Sequence, residues 1–399
     1  MPRPVRVAKG KSDMRRAMLL GFVGTVSLGA MAMATTVQAV EAKREIFGAL
    51  PDGSKVDAVV LDSGHGVRIR VIAYGASLQE VVAPDRNGKG ANILLGYAKL
   101  DDYLKTPQYF GATVGRYANR IAKGHFVLDG HAYSVPVNDG ANSLHGGSKG
   151  FDKVLWTLGE AKSGADSASV TLTYVSPDGD MGYPGKLTAT AIYTLDAHNR
   201  LTIEYRATTD KPTIVNLTNH AYWNLAGEGS GSVMAQKLTI PAETFLPIDA
   251  GSIPLGQFKP VAGTPFDFRQ GKPIGRDIRT PDPQLLNGRG YDHDFVIARD
   301  VAKEPRLVAK VEDPASGRVM TLKSTMPGLQ FYSGNFLNAT SAGTGGQVYR
   351  QGDAFALEPQ FHPDTPNQPA FGSARLAPGQ EYRHTIVYEF GTEPVQGKH

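Results

Sequence analysis

Two stretches far apart in the chain hold side chains able to move protons. Asn216 to Leu225 reads N-L-T-N-H-A-Y-W-N-L and offers His220 among amides and aromatics. Phe355 to Gln360 reads F-A-L-E-P-Q and offers Glu358 at the end of an apolar run. Imidazole titrates near neutrality, and a partly buried carboxylate can be shifted toward it. A histidine and a glutamate on two strands of one sheet therefore suit a reaction that removes one proton while delivering another.

Further polar groups sit in unusual company. G-R-Y-A-N-R-I at Gly115 to Ile121 holds Asn119 and Arg120, and N-S-L-H-G-G at Asn142 to Gly147 sets His145 beside two glycines. G-Y-D-H-D-F at Gly290 to Phe295 puts Asp292, His293 and Asp294 ahead of an apolar run, and Gln330 lies among the aromatics of P-G-L-Q-F-Y. Taken singly, each has an ordinary explanation as a capped turn, a solvated strand face or a satisfied core residue. His65, His125, His131, His198, His384 and His399 receive no role. No H-x-H or H-E-x-x-H spacing marks a metal site, and no G-x-S-x-G elbow or glycine-rich phosphate loop occurs. Asp292 and Glu358 could also form a glycosidase carboxylate pair, whose separation a sequence does not give.

These groups need strands to hold them, and the chain supplies strands in quantity. Val67, Ile69 and Val71 alternate with arginines, and period-two runs recur around Val170, Leu187, Leu201 and Tyr382. Phe126–Leu128, Asp129-Gly130 and His131–Val135 read as a hairpin whose two turn residues both want positive φ. Helical spacing is confined to a turn or two near Leu100–Leu104 and Ile274–Ile278. With 46 glycines, 26 prolines and 41% hydrophobic residues in 399, the expectation is all-β: antiparallel sheets packed as one large sandwich over residues 44–391. A polar tail, 392–399, follows. Cysteine is absent, which removes disulfides and thiolate chemistry.

Residues 1–39 read as a secretory signal peptide, with a basic start, an apolar stretch from Ala17 to Ala34 and the small-x-small site Val37-Gln38-Ala39. Arg3, Arg6, Lys9, Lys11, Arg15 and Arg16 against Asp13 make this segment +5, so the overall +4 leaves −1 for the rest. A body so near neutrality has no bulk attraction for nucleic acid or anionic membrane. The expected setting is periplasmic or extracellular. Nothing in the sequence sets an oligomeric state, and a monomer is compatible with it.

Taken together, the blocks resemble the aldose 1-epimerase (galactose mutarotase) family. G-R-Y-A-N-R-I-A-K-G, N-S-L-H-G-G, S-P-D-G-D-M-G-Y-P-G, N-L-T-N-H-A-Y-W-N-L, Y-D-H-D-F, P-G-L-Q-F-Y-S-G-N and L-E-P-Q-F-H-P-D-T-P-N follow in family order between about Ile46 and Phe390. The resemblance implies a large antiparallel β-sandwich with an open sugar cleft, and interconversion of the α and β anomers of free hexoses such as galactose and glucose. It implies Glu358 as general base and His220 as general acid. It makes Asn119, Arg120, His145, Asp292 and Gln330 the groups that hold the sugar. No cofactor or metal is implied, and the expected partner is a small aldose. Glu358 ionised and His220 protonated is the state expected when ring opening begins. A non-catalytic carbohydrate-binding protein and a glycan-cleaving enzyme on the same fold are the alternatives. Pro359, where many members carry threonine, suggests a slightly altered path beside Glu358. Trp223 stands where some members have phenylalanine.

Overall fold

Three antiparallel sheets carry most of the strand residues in the computed structural model, which describes residues 39–106 and 108–393, and for Ser341 the backbone alone. Residues 1–38 of the predicted leader and the last six residues of the predicted tail lie outside the described residues, and Thr392 closes the final strand.

The largest sheet has nine strands, in the order Thr157–Lys162, Ser167–Ser176, Leu187–Asp196, Arg200–Thr209, Tyr382–Thr392, Arg318–Ser324, Arg306–Glu312, Lys237–Thr239 and Lys272–Pro273. Its long central strands alternate strictly. Leu187, Ala189, Ala191, Tyr193 and Leu195 are buried while the residues between them are half-buried. That is the pattern of a sheet with one face on a core. A five-stranded meander from Glu41 to Asn92 supplies Val59, Leu61, Ile69, Val71 and Leu78 to the same core.

The third sheet has six strands, in the order Tyr222–Trp223, Phe355–Gln360, Gly328–Tyr332, Asp292–Val296, Thr244–Phe245 and Lys259–Pro260. Its three central strands are buried at every position. Alternation still sorts their side chains by chemistry. Phe295, Leu329, Phe331, Phe355, Leu357 and Trp223 turn into the shared core. The intervening positions, Asp292, Asp294, Gln330, Glu358 and Gln360, share the opposite face because Asp294 pairs with Gln330 and Gln330 with Glu358. A sheet with one apolar and one polar face, both covered, is the platform for a site.

The predicted hairpin forms between His125–Leu128 and His131–Ser134, with Asp129 at φ 51° and Gly130 at φ 82°. Leu100–Lys105 is a short helix, as expected. Ile274–Ile278 makes turns and no helix; the second helix is Pro283–Gly288, capped by Asp282 accepting from the Gln284 N–H. The register beside Pro359 runs unbroken from Gly328↔Gln360 to Tyr332↔Ala356, so the proline does not divert Glu358. Trp223 packs on Tyr388 and Phe390 in the core, away from the polar face.

Candidate active site

His220 ends a three-residue strand, Thr218–His220, paired with Ala112–Val114. Asn219 points inward, donating to the Gly111 carbonyl at 2.7 Å, so alternation sends His220 the other way. Its ring lies between Tyr109 and Tyr222, near-parallel to both at centroid distances of 5.6 and 4.9 Å. Glu358 comes from the polar face of the six-stranded sheet. The two meet with His220 Nε2 3.6 Å from Glu358 Oε1. Glu358 Oε2 and His220 Nδ1 are buried without a hydrogen-bond partner among the described residues. Buried polar atoms are rarely left so, and here both border a cleft.

The cleft measures about 250 Å³ and is lined by Asn119, Arg120, His145, His220, Asp292 and Glu358 together with Tyr109, Asp139, Tyr222, Tyr332 and others. That volume lies below the ~300–1,000 Å³ of drug-sized pockets and suits one small ligand. His145 and Asn119 are locked reciprocally. The His145 N–H donates to the Asn119 carbonyl and the Asn119 N–H donates to His145 Nδ1, each at 3.1 Å. Both residues hold left-handed backbone, φ 51° and 66°. Beside them a Cβ on Gly146 would lie 1.9 Å from the Gly115 carbonyl oxygen, so only glycine permits this approach. Because Nδ1 accepts, the proton of neutral His145 sits on Nε2, making that nitrogen a donor.

Arg120 donates from Nε to Asp139 Oδ2 at 2.8 Å and has an Nη 3.8 Å from Asp292 Oδ2. Gln330 donates to the other Asp292 oxygen at 2.7 Å. Gln330 thus stands behind Asp292 and is not part of the cleft lining, unlike the other expected sugar-holding residues. Arg116 is buried, its guanidinium donating to the carbonyls of Pro177, Pro184 and Gly185 at 2.8–3.1 Å, where it ties down the Ser176–Gly185 loop. Lys123 is exposed and outside the lining.

Burial sets the protonation of the central pair. It holds His220 down to about 4 and pushes Glu358 well above the carboxylate range, with the Asp292 charge adding to the rise. Burial, then the charges of His220, Arg120 and Lys153, hold His145 well down. Asp292 is raised by burial, with Arg120 and Gln330 opposing. Burial therefore works against charge on both members of the pair, a penalty that the ion pair expected at ring opening must overcome. Desolvating two charges costs more than their attraction returns.

His145, His220 and Glu358 bring ligand atoms within 4.8 Å of one another, close enough for a divalent cation to bridge. His145 Nε2 could ligate only if its proton moved to Nδ1, breaking the bond from the Asn119 N–H.

Tyr109, Asp139, Tyr222 and Tyr332 were not among the residues expected from the sequence. Asp139 lies in an Asn-Asp-Gly turn signal and Tyr109 lies two residues after a proline, so neither has a pattern that separates it from ordinary loop chemistry.

The aldose 1-epimerase family model matches residues 57–389. A galactose mutarotase of Sus scrofa is 44% identical over 88% of this chain and 99% of its own. An aldose 1-epimerase of Escherichia coli K12 is 39% identical over 86% and 97%. Among solved structures, a galactose 1-epimerase from Lactobacillus acidophilus superposes with a TM-score of 0.78 at 30% identity, covering 88% of this chain and 99% of that one. A family model spanning most of the β-sandwich, and relatives aligned over nearly their whole length, establish that the chain belongs to the aldose 1-epimerase family.

Proposed function

We propose that Glu358 and His220 carry out the anomer interconversion of this mutarotase, acting on free hexoses such as galactose and glucose. The supporting observation is their approach to 3.6 Å, each with an unpartnered polar atom, in a cleft sized for one small ligand. Opening the ring moves the C1 hydroxyl proton to a base and places a proton on O5 as the C1–O5 bond breaks. The aldehyde turns about C1–C2, and closure on the other face returns both protons with the roles exchanged.

One proton shared by the pair is what this cycle uses. Whichever group holds it is the acid, and the other is the base. Burial favours that proton on Glu358. Hydroxyls of a bound sugar donate to the carboxylate and favour its ionised form, which transfers the shared proton to His220, the donor to O5. Arg120, His145, Asn119 and Asp292 fix the sugar's orientation, with Gln330 holding Asp292. His145, its tautomer set by Asn119, offers Nε2–H to a sugar oxygen.

Polarimetry on freshly dissolved α-D-glucose and α-D-galactose tests this reading. The protein should hasten approach to the usual final rotation, and Glu358→Gln should not. Equal acceleration by the variant would remove Glu358 as base. The chain's basic, apolar and small-residue start supports export with cleavage near Ala39. N-terminal sequencing of protein recovered outside the cytoplasm should then begin near Val40; an intact Met1 would refute processing.

A further inference from the structure

Behind the cleft, the polar face of the six-stranded sheet continues into groups that the reaction as described does not use. Asp294 pairs across the sheet with Gln330, and Gln330 with Glu358, so the three side chains form one row with a single amide between two carboxyls. Asp294 is 1% exposed and meets His362, 2% exposed, which donates from Nδ1 to Asp294 Oδ1 at 2.6 Å. Neither residue lines the cleft.

The fold makes deliberate room for this pair. A Cβ on Gly328 would lie 2.7 Å from Asp294 Oδ2 and 2.8 Å from His362 Nδ1, so any larger residue would wedge into the contact. The His362 carbonyl accepts from the Tyr117 and Thr365 hydroxyls at 3.2 and 2.7 Å, and its ring packs edge-on against Phe258 and Phe371. Asp294 Oδ2, Gln330 Oε1, Glu358 Oε2 and both amide atoms of Gln360 are left without partners among the described residues. A cluster of unspent buried polar atoms around one acid–imidazole pair is costly unless its field is used.

We propose that Asp294 and His362 form a buried acid–imidazole pair that positions Glu358 and sets its strength as a base. The inference rests on Glu358 being that base. The Asp294 carboxylate lies in the same row as Glu358, two strands away across Gln330, where low polarity lets a charge act at range, and His362 sets how much of it Glu358 feels. Glu358 also faces His220 and His145 across the cleft, Asp292 two strands away, Arg120 beyond it, and Tyr222 and Tyr332 beside it. The pair faces the aromatic wall on its other side, where the Arg299 guanidinium lies 3.9 Å from the Phe258 ring centre. Of these charges, Asp292 acts on Glu358 most strongly, and Asp294 adds to it in the same sense. A more basic carboxylate takes the weakly acidic C1 proton faster.

The test is the pH profile of kcat/KM for the whole protein carrying Asp294→Asn, with Asp294→Glu and Glu358→Gln in parallel. Loss of the Asp294 charge should move the alkaline limb down by about 0.5 on the pH axis, a charge effect attenuated across the intervening Gln330 strand. It should also lower kcat roughly threefold with KM within about twofold. Asp294→Glu keeps the charge but not the shape, and should restore the limb. A pair that only braced the loop would respond to shape, so the isosteric asparagine would be the milder change. Should Asp294→Asn fail to fold, His362→Gln is read instead, and its limb should move upward as Asp294 loses its partner. Profiles superposable on the parent's overturn the inference. Full turnover in Glu358→Gln would instead remove the base itself.

Discussion

His220 and His384 look alike by every simple measure. Both are buried, both sit on antiparallel strands, and burial holds each down to about 4. Their hydrogen bonds separate them. His384, in the nine-stranded sheet, has Nε2 on Ser324 Oγ at 3.0 Å and Nδ1 on the Leu217 carbonyl at 2.8 Å. His220, beside the six-stranded sheet, leaves Nδ1 unpartnered and presents Nε2 to a carboxyl 3.6 Å away. Burial alone does not mark a reacting group. Unspent hydrogen-bonding capacity aimed at a cleft does.

The comparison predicts different kinds of damage. The largest should follow Glu358→Gln, with kcat lower by roughly a thousandfold and sugar affinity kept. The same variant should be more stable than the parent in alkali. Glu358 is raised in the folded protein, so above its unfolded value the native state holds the extra proton, and stability falls as pH rises through the folded value. Thermal melts at several pH values check this, and a variant that melts earlier in alkali would contradict it. His220→Asn should lower kcat roughly a hundredfold without comparable loss of stability.

A smaller effect concerns acid. His220 keeps its free base down to about 4, below which the pair carries two protons and no base remains. The acid limb of kcat/KM should therefore lie near 4. A limb near 6.5, the ordinary imidazole value, would mean that the ring is solvated during turnover. At the other extreme, His384→Asn should leave turnover per folded molecule unchanged within about twofold while costing about 1–3 kcal/mol, since it strands buried partners. Lost turnover without lost stability in that variant would erase the distinction between the two histidines.

Much of this was legible before the fold was known. Long alternating runs such as Leu187–Asp196 announce themselves because one face is buried and the other is not. The Asp129-Gly130 turn declares its own backbone. The strands that carry the proposed acid–base pair are harder to read. Thr218–His220 and Tyr222–Trp223 are too short to show a period, and Phe355–Gln360 is buried throughout. The residues there stood out through their types and their resemblance to a family. Asp139 and Tyr109 escaped because contacts across the fold, and not local pattern, bring them to the cleft.

The alternation of Phe355–Gln360 also bears on which length changes the gene can tolerate. A residue added at the exposed Asp129-Gly130 tip lengthens a turn and leaves the cleft where it is. A single codon lost just ahead of Glu358 shifts one strand by one place against Gly328–Tyr332, sending the carboxyl into the core and a leucine or proline toward the cleft. Point substitutions can explore this cleft one side chain at a time, whereas insertions and deletions in its central strand are closed to drift.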